Sequence, residues 1–218
     1  MKKIFLKLIK LIAGLFLFSV GIVLTINANL GLAPWDVFHQ GLAKTVHITI
    51  GQASILVGVI ILIINIFFGE RIGWGTIGNM VLIGIFMDVL MLNHLIPIYN
   101  NTLLQIIMML IGILIIGIAS YIYVGVGLGA GPRDGIMIIL TKKSNKPVRQ
   151  VRNAIELVAL AVGFVLGGSV GIGTVIMALA VGYSVQGIFK LFKFDVSSVK
   201  HRYIDEDIKY IKDKLCRQ

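Results

Sequence analysis

The sequence predicts an all-α protein, a polytopic membrane helix bundle made of two related halves. Three observations support this fold class, and composition is the first: 57% of the 218 residues are hydrophobic, 14% are charged, and the mean hydropathy is +0.96. Soluble domains carry roughly 25% charged residues. The second observation is a series of apolar runs close to the ~20 residues that cross ~30 Å of hydrocarbon. The third is an internal repeat.

The repeat centres on a short motif that occurs twice, and we call its copies the first elbow (residues 29–36) and the second elbow (residues 127–134). They read Asn-Leu-Gly-Leu-Ala-Pro-Trp-Asp and Gly-Leu-Gly-Ala-Gly-Pro-Arg-Asp, 98 positions apart. The same offset aligns residues 14–84 with 112–182 without a gap, and it pairs glycines, Gln52 with Gln150, and Thr76 with Thr174. Chance seldom matches so many non-aliphatic residues, so we infer an internal duplication.

Each repeat contains three apolar segments that are long enough to span a bilayer. They cover residues 8–28, 50–69 and 75–92 in the first half, and 104–126, 151–168 and 172–191 in the second. A shorter segment follows the first span of each repeat, at 34–46 and 132–142. At 1.5 Å per residue these segments extend only about 17–20 Å. Each repeat is therefore predicted to hold three spans and one half-helix.

The elbows carry the signals of a helix start. Proline is favoured at the first helical position, and an acid in the first turn complements the positive helix end. Pro34 with Asp36, and Pro132 with Asp134, therefore predict two half-helix starts. The preceding glycines permit a positive φ or a close backbone approach.

The positions of the basic residues favour three spans per repeat. With the N-terminus inside, six spans place every one of the 20 Lys and Arg residues except Lys44 on the cytoplasmic side, as the positive-inside rule requires. An odd number of spans makes the repeats inverted, a construction that recurs in secondary transporters. The alternative is eight helices in two parallel repeats, in which the short segments also cross.

The boundaries predict a single transmembrane domain at residues 1–192, with repeats at 8–92 and 104–191, and a cytoplasmic tail at 193–218. Four apolar tail residues fall on one face of a predicted amphipathic helix: Ile204, Ile208, Ile211 and Leu215. The net charge of +10 lies at the ends of the apolar segments. It indicates a lipid bilayer as partner, not nucleic acid. We expect a multi-pass protein of the cytoplasmic membrane with both termini inside the cell.

The glycine-rich second elbow, continuing as Gly-Pro-Arg-Asp-Gly at residues 131–135, and its echo at 30–36 resemble the YczE/YyaS/YitT family of bacterial integral membrane proteins, closest to the YczE branch. The resemblance covers about residues 8–192. It implies a cytoplasmic-membrane protein that is often presumed to be a transporter, and it brings neither a substrate nor agreed catalytic residues.

Ionisable side chains at membrane depth are costly and are functional candidates by default. Asp36 and Asp134 either only favour their own helix starts or border a central cavity where the two elbows meet. Arg133, which replaces Trp35 in the second copy, either pairs with Asp134 or Glu156, or holds an anion bidentately.

Other polar residues have structural explanations beside functional ones. Glu156 either pairs with Arg152 one turn earlier or acts as a proton site. Glu70 is expected to pair with Arg71 in a turn, and Asp88 to lie at the outer interface. The candidates for a substrate or ion site are Gly31, Pro34, Trp35, Asp36, Gln52, Gly129, Pro132, Arg133, Asp134, Gln150 and Glu156.

The sequence contains no enzyme signature, because the glycine run follows a membrane helix and not the strand that a nucleotide motif needs. No metal-ligand spacing and no cofactor motif occur. We therefore expect a non-enzymatic permease or secondary transporter for an unknown small molecule or ion, with a homodimer as a plausible assembly. The alternative is an accessory or scaffold protein that assists a partner enzyme or complex, which predicts half-helices packed shut without a cavity.

Overall fold

The computed structural model describes residues 2–195, 198–199, 201–207 and 209, with the backbone alone at residues 2–4. Within these ranges the chain is helical and contains no strand, which confirms the predicted all-α class. The helices are α1 (Lys2–Asn27), α2 (Pro34–Val46), α3 (Ile50–Phe67), α4 (Trp74–Leu92), α5 (Thr102–Gly125), α6 (Pro132–Ser144), α7 (Val148–Val165) and α8 (Ile172–Leu191).

The long and short helices follow the predicted pattern. Within the described ranges, five helices are long and apolar enough to cross a membrane, namely α1, α3, α4, α5 and α8. The sixth predicted span corresponds to α7, which has 18 residues and carries Arg149, Arg152 and Glu156 in its first half. These three charged residues make α7 less apolar than the five spanning helices. α2 and α6 have 13 residues each. Their length fits the two predicted half-helices.

The half-helices begin and end alike. α2 and α6 both start at a proline in the first turn, after a residue in the extended conformation. They end at His47 (φ 57°) and Asn145 (φ 53°), which are again 98 positions apart and both left-handed. A left-handed residue at the C-terminal end of a helix redirects the chain. The duplication thus extends to the backbone conformation.

Each elbow is bonded to the other repeat. The Gly173 N–H donates to the Leu30 carbonyl at 2.7 Å, and the Gly75 N–H donates to the Leu128 carbonyl at 2.6 Å. These bonds join the first elbow to the start of α8 and the second elbow to the start of α4. Because the two contacts are equivalent under the repeat, the halves interlock reciprocally.

Two glycines make this interlocking possible. Gly31 (φ +115°) lies so close to the other repeat that an added Cβ would sit 2.6 Å from the Gly171 nitrogen. At Gly129 (φ +110°) an added Cβ would sit 2.6 Å from the Thr76 hydroxyl oxygen. Both positions require a residue without a Cβ, because neither the backbone angle nor the space suits an L side chain. Gly31 and Gly129 therefore have a structural role in the elbows.

The first helices of the two repeats pack closely and run antiparallel. Gly14 on α1 lies against Tyr123 near the end of α5, whereas Gly21 lies against Gly112 earlier in α5. A Cβ at Gly21 would be 3.0 Å from the Gly112 carbonyl oxygen, so the glycines set the distance between the helices. Antiparallel equivalent helices are what inverted repeats require. How each repeat is oriented across a bilayer stays a prediction.

The core lies where α1, α4, α5 and α8 meet, around side chains that are almost completely buried: Leu15, Val23, Met87, Met109 and Met177. Many large apolar side chains are instead exposed on the outer faces of the helices, such as Ile63, Leu110, Leu157 and Leu179. Apolar patches of this extent indicate contact with lipid or with another protein. They are consistent with a multi-pass membrane protein.

The described part of the tail rests on the protein. The Arg202 N–H donates to the Gly127 carbonyl at 2.8 Å, and the Ile204 N–H donates to the Ile72 carbonyl at 2.9 Å. A helical turn covers residues 204–207. The other apolar positions of the predicted amphipathic helix, Ile208, Ile211 and Leu215, lie outside the described residues.

Ion pairs fasten this part of the tail to the α3–α4 turn. Arg71 Nη2 lies 2.7 Å from both an Asp205 and a Glu206 carboxylate oxygen. The hydrogen bonds from Arg71 lower the pKa of the Asp205 carboxyl. The predicted pairing of Glu70 with Arg71 was wrong, because Glu70 accepts from Lys142 Nζ at 2.6 Å, and the tail supplies the partners of Arg71.

Candidate functional site

The two elbows border one internal cavity. Its volume is about 550 Å³. Six of the predicted site residues line it: Trp35 and Asp36 from α2, Pro132, Arg133 and Asp134 from α6, and Glu156 from α7. The structure thus brings together side chains that lie almost one hundred positions apart in the sequence.

Trp35 and Arg133, which occupy equivalent positions in the repeat, contact each other directly. The Arg133 Cζ lies 4.4 Å from the centroid of the Trp35 ring. A guanidinium over an indole face is attracted by the ring quadrupole, by about 0.5–2 kcal/mol according to its exposure. The contact joins equivalent residues of the two repeats, and it holds the guanidinium beside the Trp35 ring at the cavity wall.

A histidine links Arg133 to Asp36. Arg133 Nη2 lies 3.2 Å from His39 Nε2, and His39 Nδ1 lies 3.7 Å from Asp36 Oδ1. A guanidinium has donors only, so Nε2 must accept and a neutral His39 carries its proton on Nδ1, on the side of Asp36. The His39 side chain is 1% exposed and its Nδ1 has no hydrogen-bond partner within the described residues. The imidazole is therefore held between an acid and a cation.

The two elbow carboxylates differ in their surroundings. Asp134 Oδ2 accepts a hydrogen bond from the Gly131 N–H at 3.1 Å, which agrees with the structural interpretation of this residue as a stabiliser of its own helix start. Asp36 is 6% exposed, and α2 begins without a side-chain cap. The Asp36 carboxylate therefore lies beside His39 and accepts no hydrogen bond from the backbone N–H groups at the start of α2.

Glu156 forms the pair that its spacing predicts. Arg152 Nε donates to Glu156 Oε1 at 3.0 Å, and both residues line the cavity. The alternative pairing of Arg133 with Asp134 or Glu156 is absent, because no carboxylate of the described residues lies within 4.0 Å of the Arg133 guanidinium nitrogens. Arg133 is exposed although it lies deep in the protein, and we attribute this exposure to the cavity.

Several predicted candidates lie outside the cavity lining. Gln52 is exposed and accepts from the Thr49 N–H at 3.1 Å as part of a helix cap, and Gln150 is exposed at the start of α7. Pro34 is buried in the first turn of α2. The structure does not bring these three side chains to the site, so they support the helices that surround it.

Asp88 also has a local structural function. Its carboxylate accepts from the Thr49 hydroxyl at 2.5 Å and from the Gly51 N–H at 3.0 Å. These bonds join the start of α3 to α4. Asp88 thus caps the start of α3 from the neighbouring helix α4, and its position at the outer interface stays a prediction.

Among the titratable residues of the lining, sequence reasoning missed His39, Tyr123 and His201 as site residues. His39 follows Asp36 by three positions on α2, so helical spacing placed the two on one face, but its equivalent in the second repeat is Met137 and the repeat gave no hint. His201 reaches the site from the tail, where its Nδ1 lies 3.3 Å from the Gly129 nitrogen. No signal in the sequence indicated that the tail crosses this region.

The fold and the cavity define a class of protein, namely a multi-pass α-helical membrane protein with a charged cavity between two related halves. The chain belongs to the family of unknown function DUF6198, whose model matches residues 5–190. This match and the relatives below confirm the resemblance to YczE and YyaS. The relation to YitT stays a prediction.

Three curated relatives cover most of the chain. The uncharacterized membrane protein YczE of Bacillus subtilis is 39% identical over 78% of this chain and 79% of its own length. An uncharacterized protein of Haemophilus influenzae is 32% identical over 81% and 80%, and the uncharacterized protein YyaS of Bacillus subtilis is 31% identical over 75% and 82%. No solved structure matches the chain.

Proposed function

We propose that this protein is a membrane permease, a secondary transporter of a small molecule or ion, and not an enzyme. The observation that supports the proposal most strongly is the shared cavity of about 550 Å³, which side chains from both elbows line. Ligand cavities typically occupy ~300–1,000 Å³. The substrate site of the proposed transporter is this cavity, between Asp36 on α2 and Arg133 and Asp134 on α6.

The position and charge of the cavity support transport. Secondary transporters often place their sites where broken helices from two repeats meet, and the half-helices α2 and α6 meet here through Trp35 and Arg133. Charged residues within a membrane are rare outside substrate and ion pathways. The antiparallel contact of α1 with α5 supports the inverted arrangement of the repeats.

We also propose alternating access, in which the cavity between the elbows opens to one side of the membrane and then to the other. The proposed rocking turns about the close contact of α1 with α5, and it requires the bonds between each elbow and the opposite repeat to break and re-form. Both ends of the cavity then open in turn. Since side chains of one chain line the cavity, a second copy is not needed to build it, and the homodimer stays a prediction.

The accessory or scaffold function is the weaker candidate. That alternative predicts half-helices packed shut, whereas here the half-helices border a cavity that contains several charged groups. A protein that only supports a partner has no need for a guanidinium exposed to an internal cavity.

A ligand screen followed by flux measurement tests the proposal. Purified protein in detergent is heated with small polar and ionic compounds, since a ligand at 100 times its Kd stabilises the native state by about 2.7 kcal/mol. Each stabilising compound is then tested for uptake into proteoliposomes. We expect uptake by the native protein and strong loss in Asp36→Asn.

The matched control is Glu70→Gln, which removes a carboxylate that does not line the main cavity and retains uptake. Unchanged uptake in both Asp36→Asn and Asp134→Asn would remove the carboxylates from the mechanism. Stabilising ligands that are never transported would contradict the permease function itself.

A further inference from the structure

The charged groups that line the cavity are unequally paired. Glu156 has Arg152, Asp134 has the Gly131 N–H, and Asp36 has His39 as its neighbour. Among the cations of the described lining, Arg133 has no acid within ion-pair distance, and it is exposed to the cavity. Its Nη2 faces His39, and its other donors are not used by any described protein group. A ligand that enters the cavity therefore meets an unpaired guanidinium.

We propose that the cavity takes a small organic anion, a carboxylate or phosphate ester, together with one proton, with Arg133 holding the anion and His39 the proton. This inference rests on the proposed transport function, of which it names the substrate class and the coupling ion.

The geometry of Arg133 suits a planar or tetrahedral anion. A guanidinium binds carboxylates and phosphates through parallel N–H donors, and such bidentate bonds are stronger than neutral ones. Trp35 supports the flat face of the guanidinium and leaves its edge for the ligand. Apolar side chains on the remaining walls, including Phe18, Val57 and Met80, leave room for an organic body.

The proton follows from the relay between Arg133 and Asp36. In the structure, Arg133 donates to His39 Nε2 and the Nδ1 proton of the neutral imidazole lies toward Asp36. When Arg133 turns its Nη2 to an anion, Nε2 loses its donor and binds a proton there, and Asp36 stabilises the resulting imidazolium at Nδ1. No covalent bond forms or breaks apart from this N–H bond.

This exchange leaves the net charge of the site unchanged. Arg133 and Asp36 carry opposite charges, and loading adds one singly charged anion, a carboxylate or a phosphate ester in its monoanionic form, and one proton. Moving a site of constant net charge avoids the cost of carrying an extra charge through a low-dielectric region. The other titratable or charged groups that face the cavity are Tyr123 on α5, Asp134 on α6, Arg152 and Glu156 on α7, and His201 in the tail.

Tryptophan fluorescence measures anion binding directly. The sequence has two tryptophans, so in Trp74→Phe the remaining Trp35 reports on the site. We expect benzoate and phenyl phosphate to change its fluorescence saturably, with Kd near ~1 mM or tighter, while benzamide and benzylamine have no effect. The comparison of benzoate with phenyl phosphate decides between the two anion types.

Arg133→Gln is expected to weaken anion binding at least tenfold, and the control Arg149→Gln, which alters an exposed arginine outside the lining, to leave it unchanged.

The pH dependence of that binding measures the proton. If one proton enters with each anion, the apparent Kd rises about tenfold per pH unit over the pH range in which His39 is unprotonated without the anion and protonated with it, by linkage. His39→Gln keeps an amide acceptor and removes the proton site, so its anion binding is expected to lose this slope. A slope that persists in His39→Gln overturns the assignment of the proton to His39.

The outcomes separate this inference from the permease proposal. Saturable binding of benzamide or benzylamine in place of the anions, or no saturation by either anion up to about 10 mM, overturns the anion assignment and leaves transport of another ligand open to the flux assay. Anion binding with the expected proton slope but without uptake supports the site and overturns transport.

Discussion

Replacing Gly31 by alanine tests the reciprocal locking of the two repeats. Gly31 has φ +115°, and an added Cβ would lie 2.6 Å from the Gly171 nitrogen and 2.7 Å from the Thr174 hydroxyl oxygen. The backbone strain costs on the order of 1–3 kcal/mol, and overpacking costs about 1–3 kcal/mol more. We therefore expect Gly31→Ala to lower the free energy of unfolding by roughly 2–6 kcal/mol.

Thermal unfolding in detergent, followed by a conformation-sensitive dye, measures this loss. For a domain of this size about 2–4 °C of Tm corresponds to each kcal/mol, so the Tm is expected to fall on the order of 10 °C. Gly129→Ala, at the equivalent position, is expected to behave alike.

Two control substitutions separate the contributions. Gly69 has φ +74° with nothing within 4 Å of an added Cβ, and Gly182 lies in a helix with open space around it. Gly69→Ala isolates the backbone strain, and Gly182→Ala is expected to be neutral or to stabilise by about 0.5–1 kcal/mol. If Gly31→Ala unfolds at the same temperature as Gly182→Ala, the described contact between elbow and opposite repeat is wrong.

Two further predictions concern polar groups outside the centre. Asp88→Asn is expected to lower the free energy of unfolding by about 1–3 kcal/mol, because charge-assisted bonds to Thr49 and the start of α3 are lost. Glu70→Gln, at an exposed ion pair, is expected to lower it by less than about 1 kcal/mol. Equal losses of stability in urea or thermal unfolding would contradict this ranking. Burial lowers the pKa of His201. Its Nδ1 accepts a hydrogen bond from the Gly129 N–H only when the imidazole is unprotonated. The contribution of His201 to tail docking is therefore present above its unfolded pKa of about 6.5 and declines as the pH falls below that value. The protection factor of residues 201–207, which corrects the exchange rate for the pH dependence of intrinsic amide exchange, is expected to fall from pH 7.5 to 5.5, and an identical fall in His201→Gln would refute this cause.

Much of the fold could be predicted because the sequence marks its own boundaries. Pro34 and Pro132 stand at the starts of the half-helices, and the 98-residue offset relates elements that propensity alone would treat separately. The same duplication predicted that the elbows would meet, because two related halves place equivalent residues about a common centre. Trp35 and Arg133 are such a pair.

The features that could not be predicted are contacts made by residues that have no equivalent in the other repeat, or by residues that meet only in the folded structure. His39 is matched by Met137, so its position between Asp36 and Arg133 depends on how α2 and α6 each pack against α3 and α7 and not on a shared motif. The partner of Glu70 is Lys142, from the other repeat, because residues distant in sequence meet at the α3–α4 turn. The path of the tail over the second elbow depends partly on backbone bonds that any residue type can form, and partly on side-chain contacts with residues distant in sequence.

The central proposal is that the cavity between the elbows is open to each side of the membrane in turn. Thiol labelling tests this in a Cys216→Ser background, which removes the single cysteine of the sequence. Ser54→Cys places a reporter in the cavity lining, and Leu56→Cys places a control on an exposed apolar position of α3 outside it. We expect a membrane-impermeant thiol reagent to label Ser54→Cys from either side, in right-side-out and in inverted vesicles, and to leave Leu56→Cys unlabelled. Labelling of Ser54→Cys from one side alone, or from neither, would contradict alternating access.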